Sequence, residues 1–551
     1  MVDITRTGLS GLMASQRSLA TTSHNITNVN TAGYTRQRAN LISSRPEYIS
    51  GGAAYPQYIG TGVSVQSVTR VYDQFLTQQV RSYSSNVGQL ETQDQWISQL
   101  DGILGDGSTG LTPALNQFFA SAQDVANSPA SLPVRQALLG QAETLAGQFN
   151  ALDSQMNTLR DGVNQELRGT VTTINGLAEN IAKANAAIVG SPGGGAAASP
   201  DLLDQRDQLV ADLAQKVSVN TAIQSDGSMS VFIGKGQSLV MGVNASVLET
   251  KPSSSDSRKL DIQFKQTGAV ITDTFNSGEV GGLLTFQNQV LDPAQNKLGL
   301  MAAGLAETFN EQHKLGLDLN GDAGDDFFNI ETPQAIPNAN NNKATNANLA
   351  VTITDINQVK PSDYEVKYDG VNYTMRRLSD DQVVYNNTAF PPATPVEGLT
   401  INLNSGSISP GDGFLIQPTR LMATSFGVKI KDPSLFAAAD SAGGVGNNAN
   451  ALKLAALQTE KTLLNGSSTY QDLYSQTVSQ VGTQGNQTHS TLLSQQALLE
   501  QATQARDGVS GVNLDEEAAN LMRYQQAYEA SAKVIQVGDS IIQTLLAAVR
   551  G

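Results

Sequence analysis

The chain has no cysteine, a single tryptophan (Trp96) and only three histidines among its 551 residues. Without cysteine it can form no disulfide and offers neither a thiol nucleophile nor a thiolate ligand for zinc. His24, His313 and His489 stand far apart and form no HExxH pattern, so we expect each to be solvated or to line a helix interface. No constellation of side chains supports catalysis. We therefore predict that the chain is not an enzyme and has no catalytic, cofactor-binding or metal-binding residues.

Positive charge is also scarce. The chain has 34 basic and 50 acidic side chains and a net charge of -16, which argues against nucleic acid as a partner. The N-terminus lacks the charged-then-apolar layout of a secretory signal, and no apolar run is expected to cross a bilayer. These features alone predict a cytoplasmic protein that does not bind a membrane.

One loop resembles a calcium site without completing it. Asp318, Asn320 and Asp322 occupy the first, third and fifth positions of such a loop. However, Ala323 stands where the sharp turn needs glycine, and Asn329 stands where a bidentate glutamate belongs. A loop capped by its own carboxylates is the favoured interpretation, and ion binding by residues 318–326 stays open.

What the sequence does have is a repeat of large apolar residues at both ends. A seven-residue spacing is the period of a coiled-coil interface, because helices wound at about 3.5 residues per turn keep such positions facing a partner. Tyr524 and Tyr528 add large contact area whose hydroxyls need polar partners, which suits an interface. The predicted assembly interface consists of Leu9, Leu12, Leu19, Ile26, Leu514, Leu521, Tyr524, Tyr528, Ile535, Ile542 and Val549.

The interior of the chain combines long helical patterns with strand-like alternation. Leucine and isoleucine recur every seven residues through 138–159 and 167–188, with a slip or a break expected near Gly162 or Gly169. Alternating residues separated by Asp-Gly turns indicate strands near 215–290 and again at 345–430. The fold class is therefore mainly α with β insertions, in which the N- and C-terminal helices pair in a coiled-coil-like terminal domain.

These patterns divide the chain into parts that we expect to fold separately. A terminal helical assembly domain joins 1–60 to 508–551. A long-helix bundle joins 61–344 to 431–507 and includes the first β region. The third part is the inserted β domain at 345–430.

A cluster of carboxylates near the C-terminus has a structural explanation. Asp515, Glu516 and Glu517 follow Asn513 at the start of the last helical pattern. Asn513 is expected to be the N-cap of a helix with a capping box, and the acidic residues would match the helix dipole.

Two segments carry a family resemblance. The segment from Ala14 to Gln37, with SHNI, NT, GY and RQ in order, resembles the N-terminal signature of the bacterial flagellar rod, hook and hook-associated axial proteins. The segment GVNLDEEAANLMRYQQAYEASAKVIQV, from Gly511 to Val537, resembles their C-terminal signature. The residues that carry the family motif are Asn25, Asn28, Gly33, Tyr34, Asn513, Asp515, Glu516, Asn520 and Gln525.

The resemblance implies a structural subunit that joins hook to filament by forming a ring through its terminal helices. Its partners would be copies of itself, the hook protein and the second junction protein on either side, and a cytoplasmic export chaperone at the C-terminal helix. Such proteins leave through the flagellar export apparatus without a cleaved signal. The resemblance therefore replaces the cytoplasmic expectation with an extracellular place on the flagellum.

Other classes stay open at this point. A coiled-coil secreted effector or translocator of a related type III export system would also have long heptad helices and no signal. Another axial protein of the rod or hook would share the terminal signatures. A degradative enzyme displayed on a flagellum would need a catalytic insert, and the inserted β region contains no histidine.

Overall fold

The computed structural model describes residues 4–49, 57–105, 110–192, 198–440 and 444–550. It is 53% helical and 18% strand, with long terminal helices and several small sheets. The helices of the described residues are α1 Ile4–Thr27, α2 Gln74–Leu104, α3 Leu111–Asn127, α4 Leu132–Val189, α5 Pro200–Lys216, α6 Gly278–Phe286, α7 Asp292–Lys314, α8 Met422–Ser425, α9 Ala449–Ala456, α10 Tyr470–Ser510 and α11 Leu514–Arg550.

The strands pair antiparallel throughout the described residues. They are β1 Gln37–Ser43, β2 Glu47–Ile49, β3 Gln57–Ile59, β4 Val63–Arg70, β5 Val219–Ile223, β6 Met229–Ile233, β7 Gln237–Met241, β8 Asn244–Ala245, β9 Leu248–Pro252, β10 Leu260–Phe264, β11 Phe328–Asn329, β12 Gln334–Pro337, β13 Asn348–Ile353, β14 Tyr364–Tyr368, β15 Tyr373–Arg377, β16 Val383–Asn387, β17 Leu399–Ser405, β18 Gly413–Gln417 and β19 Gly427–Val428.

The chain divides into two compact units. The terminal unit consists of Met1–Gly88, Thr172–Val247 and Leu493–Gly551, and the central unit consists of Gln89–Val171 and Leu248–Leu492. In the terminal unit, β1 pairs with β4, β2 with β3, and β5 to β8 form a sheet in sequence order. The sequence patterns do not predict β1 to β4. Their apolar alternation is short and is interrupted by polar residues and by a bulge at Asn40 and Leu41.

The central unit contains the strands expected between 345 and 430. Its five-stranded sheet has the order β12-β18-β14-β15-β16, and β13 pairs separately with β17. The Asp369-Gly370 turn joins β14 to β15, with Gly370 at a φ of 100°. Strand β12 lies outside the predicted range, before residue 345. It joins the sheet by pairing with β18, with Ala335 opposite Ile416 and Ile336 opposite Leu415.

Helix α4 runs unbroken through the position where the seven-residue pattern slips. Val163, 1% exposed, lies between the buried residues Leu159 and Leu167 and keeps the stripe continuous through two four-residue steps. Gly162 is required here by close packing, since a Cβ on it would lie 2.6 Å from Cη2 of Trp96. The slip is therefore accommodated without a break in the helix.

A buried ion cluster joins segments that are distant in the central unit. Arg420 is 3% exposed and lies 3.0 Å from the carboxylate of Asp292, and it also pairs with Asp363. Burial alone would raise the pKa of Asp292, but the charges of Arg420, Lys259 and Arg160 outweigh it and hold that pKa below its ordinary value. Removing one member of such a cluster leaves an uncompensated charge in the interior.

The few aromatic residues are concentrated in one core of the central unit. The ring centroids of Phe118 on α3 and Phe309 on α7 are 5.3 Å apart, and those of Phe327 and Phe328 are 4.7 Å apart. His313 packs among them, 5.3 Å from the ring centroid of Phe436. Of the two alternatives expected for the histidines, solvated or lining a helix interface, His313 does not follow the first, because it is 0% exposed.

His313 is held in one protonation state by two backbone groups. Its Nδ1 lies 2.6 Å from the carbonyl oxygen of Asp325, and its Nε2 accepts a hydrogen bond from the backbone N–H of Ala437 at 2.9 Å. Only the neutral ring with its proton on Nδ1 satisfies both contacts. Burial lowers the pKa of His313 to about 4. By contrast, the side chains of His24 and His489 are 41% and 58% exposed, and each lies 3.2 Å from an aspartate.

The asparagine- and aspartate-rich loop closes on itself as expected. The Asp318 carboxylate accepts hydrogen bonds from the backbone N–H groups of Asn320 and Asp322, at 2.7 and 3.0 Å. Within the described residues, no group of three or more His, Asp or Glu side chains is arranged to hold a metal ion. The loop is an Asx turn.

The depressed pKa of His313 predicts that acid destabilises the central unit. The unfolded chain takes up a proton as the pH falls below about 6.5, whereas the folded chain resists it down to about 4, so stability is lost across that window by roughly 3 kcal/mol. Urea unfolding, followed by the fluorescence of Trp96 in the same unit, should show this loss for the native chain. His313→Gln should lack it, and the exposed-site control His489→Gln should retain it. If the native chain and His313→Gln lost the same unfolding free energy between about pH 6.5 and pH 4, the loss could not be assigned to His313.

Candidate assembly interface

Helices α1 and α11 lie against each other in opposite directions. A Cβ on Gly8 would lie 2.9 Å from Cγ1 of Ile535, and one on Gly11 would lie 2.8 Å from Oγ of Ser531. A Cβ on Gly538 would lie 2.8 Å from Cγ2 of Thr5. The two helices are therefore antiparallel. The glycines permit this approach, because a side chain at any of them would need the facing helix to move.

The predicted interface residues fall into two groups. Leu12, Leu19 and Ile26 of α1 and Leu521, Tyr524 and Ile535 of α11 are half-buried in the single chain. The others remain exposed, and they are Leu9, Leu514, Tyr528, Ile542 and Val549.

The buried face of α1 is made of small and polar residues that the search for large apolar residues missed. It consists of Gly8, Ala14, Ser15, Ser18, Thr21, Thr22 and Asn25. Steps of three and four between positions 14, 18, 21 and 25 are a helical signal in themselves. Gly8 of this face is the member that lies against α11, whereas Asn25 binds Gln37 of β1.

The apolar stripe of α11 continues beyond its contact with α1. Gly538 lies opposite Ile4 and Thr5, so the residues after it run past the first described residue of α1. Ile542 and Leu545 follow Gly538 by four and seven positions and so continue the face that contacts α1. The exposed apolar side chains of this overhang are Ile541, Ile542, Leu545, Leu546 and Val549, between 43% and 83% exposed.

The same stripe corrects the expectation that no apolar run is long enough to cross a bilayer. By length and composition alone, the helical stretch Tyr470–Val549 contains a window with a mean hydropathy of 1.3 that meets that requirement. Only 6% of the window is buried. Gln536, Asp539 and Gln543 interrupt it on one face, which makes this helix amphipathic.

The N-terminal signature forms a clasp centred on Asn25, which is 1% exposed. The Asn25 Nδ2 donates to the carbonyl oxygen of Gln37 at 2.9 Å. Its Oδ1 accepts from the backbone N–H of Gln37 at 2.9 Å and from the Tyr34 hydroxyl at 2.7 Å. Burial raises the pKa of Tyr34, helped by the nearby Asp201 and Asp204, so its hydroxyl stays a donor.

The turn between Asn25 and Gln37 has the geometry expected from its sequence. Helix α1 ends at Thr27, and Asn28 donates its Nδ2 to the carbonyl oxygen of His24 at 3.0 Å. Gly33 has a φ of 77°, the left-handed conformation that glycine adopts without strain. Asn25 itself lies inside the helix, in its last turn, where it binds the returning strand.

The clasp also connects to other segments of the terminal unit. Thr35 donates its backbone N–H and its hydroxyl to Asp204 on α5, at 2.8 and 2.7 Å. The backbone N–H of Arg36 donates to the carbonyl oxygen of Ser510, at the end of α10, at 2.8 Å. The Arg36 guanidinium lies 2.5 Å from the carboxylate of Glu516 on α11. The signature therefore holds α1, α5 and the start of α11 together.

The C-terminal signature begins with the expected cap. The Asn513 Oδ1 accepts from the backbone N–H groups of Asp515 and Glu516, at 3.0 and 3.3 Å. In a capping box the Glu516 carboxylate would accept a hydrogen bond from the backbone N–H of Asn513. In the structure it accepts one from the Arg36 guanidinium. An arginine partner across the unit accounts for this difference.

The remaining signature residues bond along α11. Asn520 Oδ1 accepts from Arg523 at 2.9 Å, and the Arg523 guanidinium lies 5.0 Å from the ring centroid of Tyr524. Gln525 donates to Glu529 at 3.5 Å. These contacts order the outer face of the helix.

Family profiles match most of the chain. Residues 97–328 match the flagellar hook-associated protein FlgK helical domain, and residues 336–418 match the D2-like domain of flagellar hook-associated protein 1. Residues 6–35 match the flagella basal body rod protein, and residues 504–548 match the C-terminal region of the flagellar basal body rod FlgEFG proteins.

Relatives and a solved structure agree with these matches. Flagellar hook-associated protein 1 of Salmonella typhimurium is 35% identical over 550 residues, covering 98% of each chain. The protein of that name from Escherichia coli K12 is 34% identical and covers 99% of this chain and 100% of its own. The flagellar hook junction protein FlgK from Burkholderia pseudomallei has a TM-score of 0.73 at 28% identity, over 79% of this chain and 100% of that one. The chain therefore belongs to the flagellar hook-associated protein 1 family, whose members are structural components of the bacterial flagellum and not enzymes.

Proposed function

We propose that the chain forms a ring of identical subunits at the junction of hook and filament, assembled through the α1–α11 pair. The observation that carries this proposal is the exposed apolar stripe of α11, which extends past the described part of α1. Contiguous exposed apolar surface on a folded protein marks an association site. The family membership supports the place of that site in the flagellum.

The pairing of α1 and α11 supplies the repeating element of this ring. Ser531, Ile535 and Gly538 of α11 lie against α1, and the same alternating steps of three and four continue back along α11 through Tyr528, Tyr524 and Leu521. We infer an antiparallel coiled coil whose outer and overhanging positions contact neighbouring copies. We also propose a three-part division of the chain, with 1–60 and 508–551 as the assembly domain, 61–344 and 431–507 as the helix bundle, and 345–430 as the inserted β domain. The terminal unit of the structure would then contain the assembly domain together with parts of the bundle.

The clasp around Asn25 fixes α1 in the position that this assembly needs. It holds the end of α1 to β1 and, through Thr35 and Arg36, to α5 and α11. Family-signature residues would then act within the subunit, by holding the interface helices in position, as well as through contacts with neighbouring subunits. The neighbours of the ring would be the hook protein on one side and the second junction protein on the other.

The overhang also needs protection before assembly. An exposed aliphatic stripe is an aggregation hazard, and the exposed side chains of Ile542, Leu546 and Val549 are accessible to a partner. We propose that a cytoplasmic chaperone binds this overhang before the chain leaves through the flagellar export apparatus, with no cleaved signal.

Other readings of the long helices are not favoured. A secreted effector or translocator of a related export system would share heptad helices, but this chain matches axial-protein profiles at both ends. A rod or hook protein would share those ends, but residues 97–328 and 336–418 match hook-associated protein 1 domains.

Charge placed on the overhang should block assembly without unfolding the chain. Leu546 is 55% exposed, so Leu546→Asp should leave thermal unfolding of the purified monomer unchanged. In the assembled state the carboxylate would lose its water, at a cost of roughly several kcal/mol. Cells carrying this variant should have flagella that end at the hook, as seen by negative-stain microscopy.

Ala547→Asp is the matched control for Leu546→Asp. Ala547 lies on the polar face of α11 with Gln536, Ser540 and Gln543, and the control adds the same charge one residue away. It should support filaments of normal length. Normal filaments on Leu546→Asp cells would show that the stripe does not contact a neighbour.

Removal of the clasp should loosen the terminal unit. Asn25→Ala leaves the backbone groups of Gln37 and the Tyr34 hydroxyl without their partner, which should cost roughly 2–4 kcal/mol. Hydrogen exchange at the amides of Thr35 and Gln37 should accelerate accordingly. Asn30→Ala is the control, because Asn30 is exposed in the same turn. Unchanged exchange in Asn25→Ala would refute the role of the clasp.

A chain ending after Asp539 tests the chaperone proposal. This truncation removes the overhang but keeps every residue of α11 that lies opposite α1, so the terminal unit should remain folded. Its affinity for the export chaperone, measured by calorimetry, should fall below detection. Ala547→Asp in the full-length chain should bind normally. Native affinity of the truncated chain would place the chaperone elsewhere.

A further inference from the structure

One flank of α11 carries an apolar stripe that its contact with α1 does not cover. The members of this flank stripe follow the steps of three and four that mark a coiled-coil interface, and each of them is exposed. They are Ala527, Ala530, Val534, Val537 and Ile541. The stripe therefore begins with two small side chains and continues with larger ones, on a surface that the single chain leaves in contact with water.

Helix α1 also has an exposed apolar side. Leu9 is 46% exposed, and Met13, about one turn further along the helix, is 58% exposed. Both lie apart from Gly8 and Gly11, the positions at which α1 approaches α11. Met13 also lines an open groove of about 610 Å³ between α1 and β4. The apolar side of α1 therefore has room for the side chains of a partner.

The flank stripe and the apolar side of α1 lie on opposite sides of the helix pair. Consider the view along α1 from its N-terminus, with α11 on the right. Leu9 follows Gly8, which faces α11, and is turned about 100° clockwise from it, to below the plane of the two helix axes. Val537 precedes Gly538, which faces α1, and because α11 is antiparallel it is also turned about 100° clockwise. That turn starts from the left and places Val537 above the plane.

The two sides match in height and in side-chain size. Gly11 of α1 lies opposite Ser531 of α11, so Met13 and Ala530 are level to within about one residue, or roughly 1.5 Å along the axis. A large, flexible side chain on one side thus stands at the height of a small one on the other. Such pairs interdigitate when two helices pack.

A ring of more than two identical subunits requires contacts of this kind. Its contacts are head-to-tail, so each subunit must present two different surfaces that complement each other. Rotation about an axis that runs along the helices keeps every residue at its own height. The flank stripe and the apolar side of α1 differ from each other, lie on opposite sides of the pair and match at equal height.

We propose that the apolar side of α1 in one copy packs against the flank stripe of α11 in the next copy. Leu9 would lie against Val534, and Met13 against Ala530. Each α1 would then contact two α11 helices, its own through the glycines and its neighbour's through the apolar side. This inference rests on the proposed ring and adds to it the two faces that meet.

Disulfide trapping tests the contact, because the chain has no cysteine of its own. The double variant Met13→Cys, Ala530→Cys is expressed in cells, and their isolated flagella are mildly oxidised. A chain joined to both neighbours should give a ladder of cross-linked species on a non-reducing gel. Each single-cysteine variant should give no cross-link.

The purified monomer of the double variant should form no internal disulfide. Met13 and Ala530 of one chain lie on opposite sides of the pair, with Cα atoms about 10 Å apart for helix radii of about 2.3 Å and an axis separation of about 8 Å. A disulfide spans at most about 7 Å between Cα atoms. The ladder therefore reports contacts between copies.

Met13→Cys, Glu529→Cys is the matched control. Glu529 is exposed like its neighbour Ala530, but it is turned about 100° around α11, to the side that faces away from α1. This control should give no ladder. If an immunoblot detects the Met13→Cys, Ala530→Cys chain in the flagella but no ladder forms, or if the control forms an equal ladder, the packing is wrong and the ring is unaffected. Absence of the native chain from isolated flagella would overturn both proposals.

An exchange of side-chain size tests the same contact without cysteine. Ala530→Met places a large side chain where Met13 of the neighbour needs space, so the ratio of chain in flagella to chain in the medium should fall at least about ten-fold. Met13→Ala in the same chain should restore that ratio. Both positions are exposed, so thermal unfolding of the monomers should not change. Full retention of Ala530→Met in flagella, or no rescue by Met13→Ala, would refute the packing.

Discussion

The proposed assembly depends on an apolar helix face that extends past the described part of the helix packed against it. Gly538 of α11 lies opposite Ile4 and Thr5, the first described residues of α1, and the exposed apolar stripe of α11 continues through Ile542, Leu545 and Val549. Within one chain this surface remains in contact with water, and burial of apolar surface is the main favourable term in protein association. In the proposed assembly, burial of this surface would supply the favourable free energy, and the rest of the terminal unit would hold the two helices in place.

The polar clasp performs that task by satisfying buried groups completely. Asn25 uses both side-chain atoms, and its neighbours Thr35 and Arg36 reach α5 and α11. The central unit is held together differently, by a concentrated aromatic core and a buried ion cluster around Arg420. Neither arrangement brings together a nucleophile and a base. The chemistry of the chain is recognition and packing.

Much of this could be predicted from the sequence, because local patterns and tertiary packing agree. The heptads of α4 and α11, the Asn513 cap, the left-handed Gly33 and most strands of the inserted β region are local features. What escaped prediction depends on partners distant in sequence. The buried face of α1 consists of glycine, alanine, serine, threonine and asparagine, which give little hydrophobic signal. His313 is buried because Asp325 and Ala437 supply its two hydrogen bonds.

The central claim is that the overhang of α11 is exposed in the subunit and covered in the flagellum. The chain has no cysteine, so Leu546→Cys introduces a unique thiol, and Ala547→Cys introduces one on the opposite face of the same helix. Maleimide labelling of the purified monomer and of isolated flagella measures the exposure of both positions directly. The account predicts that both thiols react rapidly in the monomer, and that in flagella the thiol at 546 is protected while the thiol at 547 stays reactive. Equal labelling at 546 in the monomer and in flagella would contradict it.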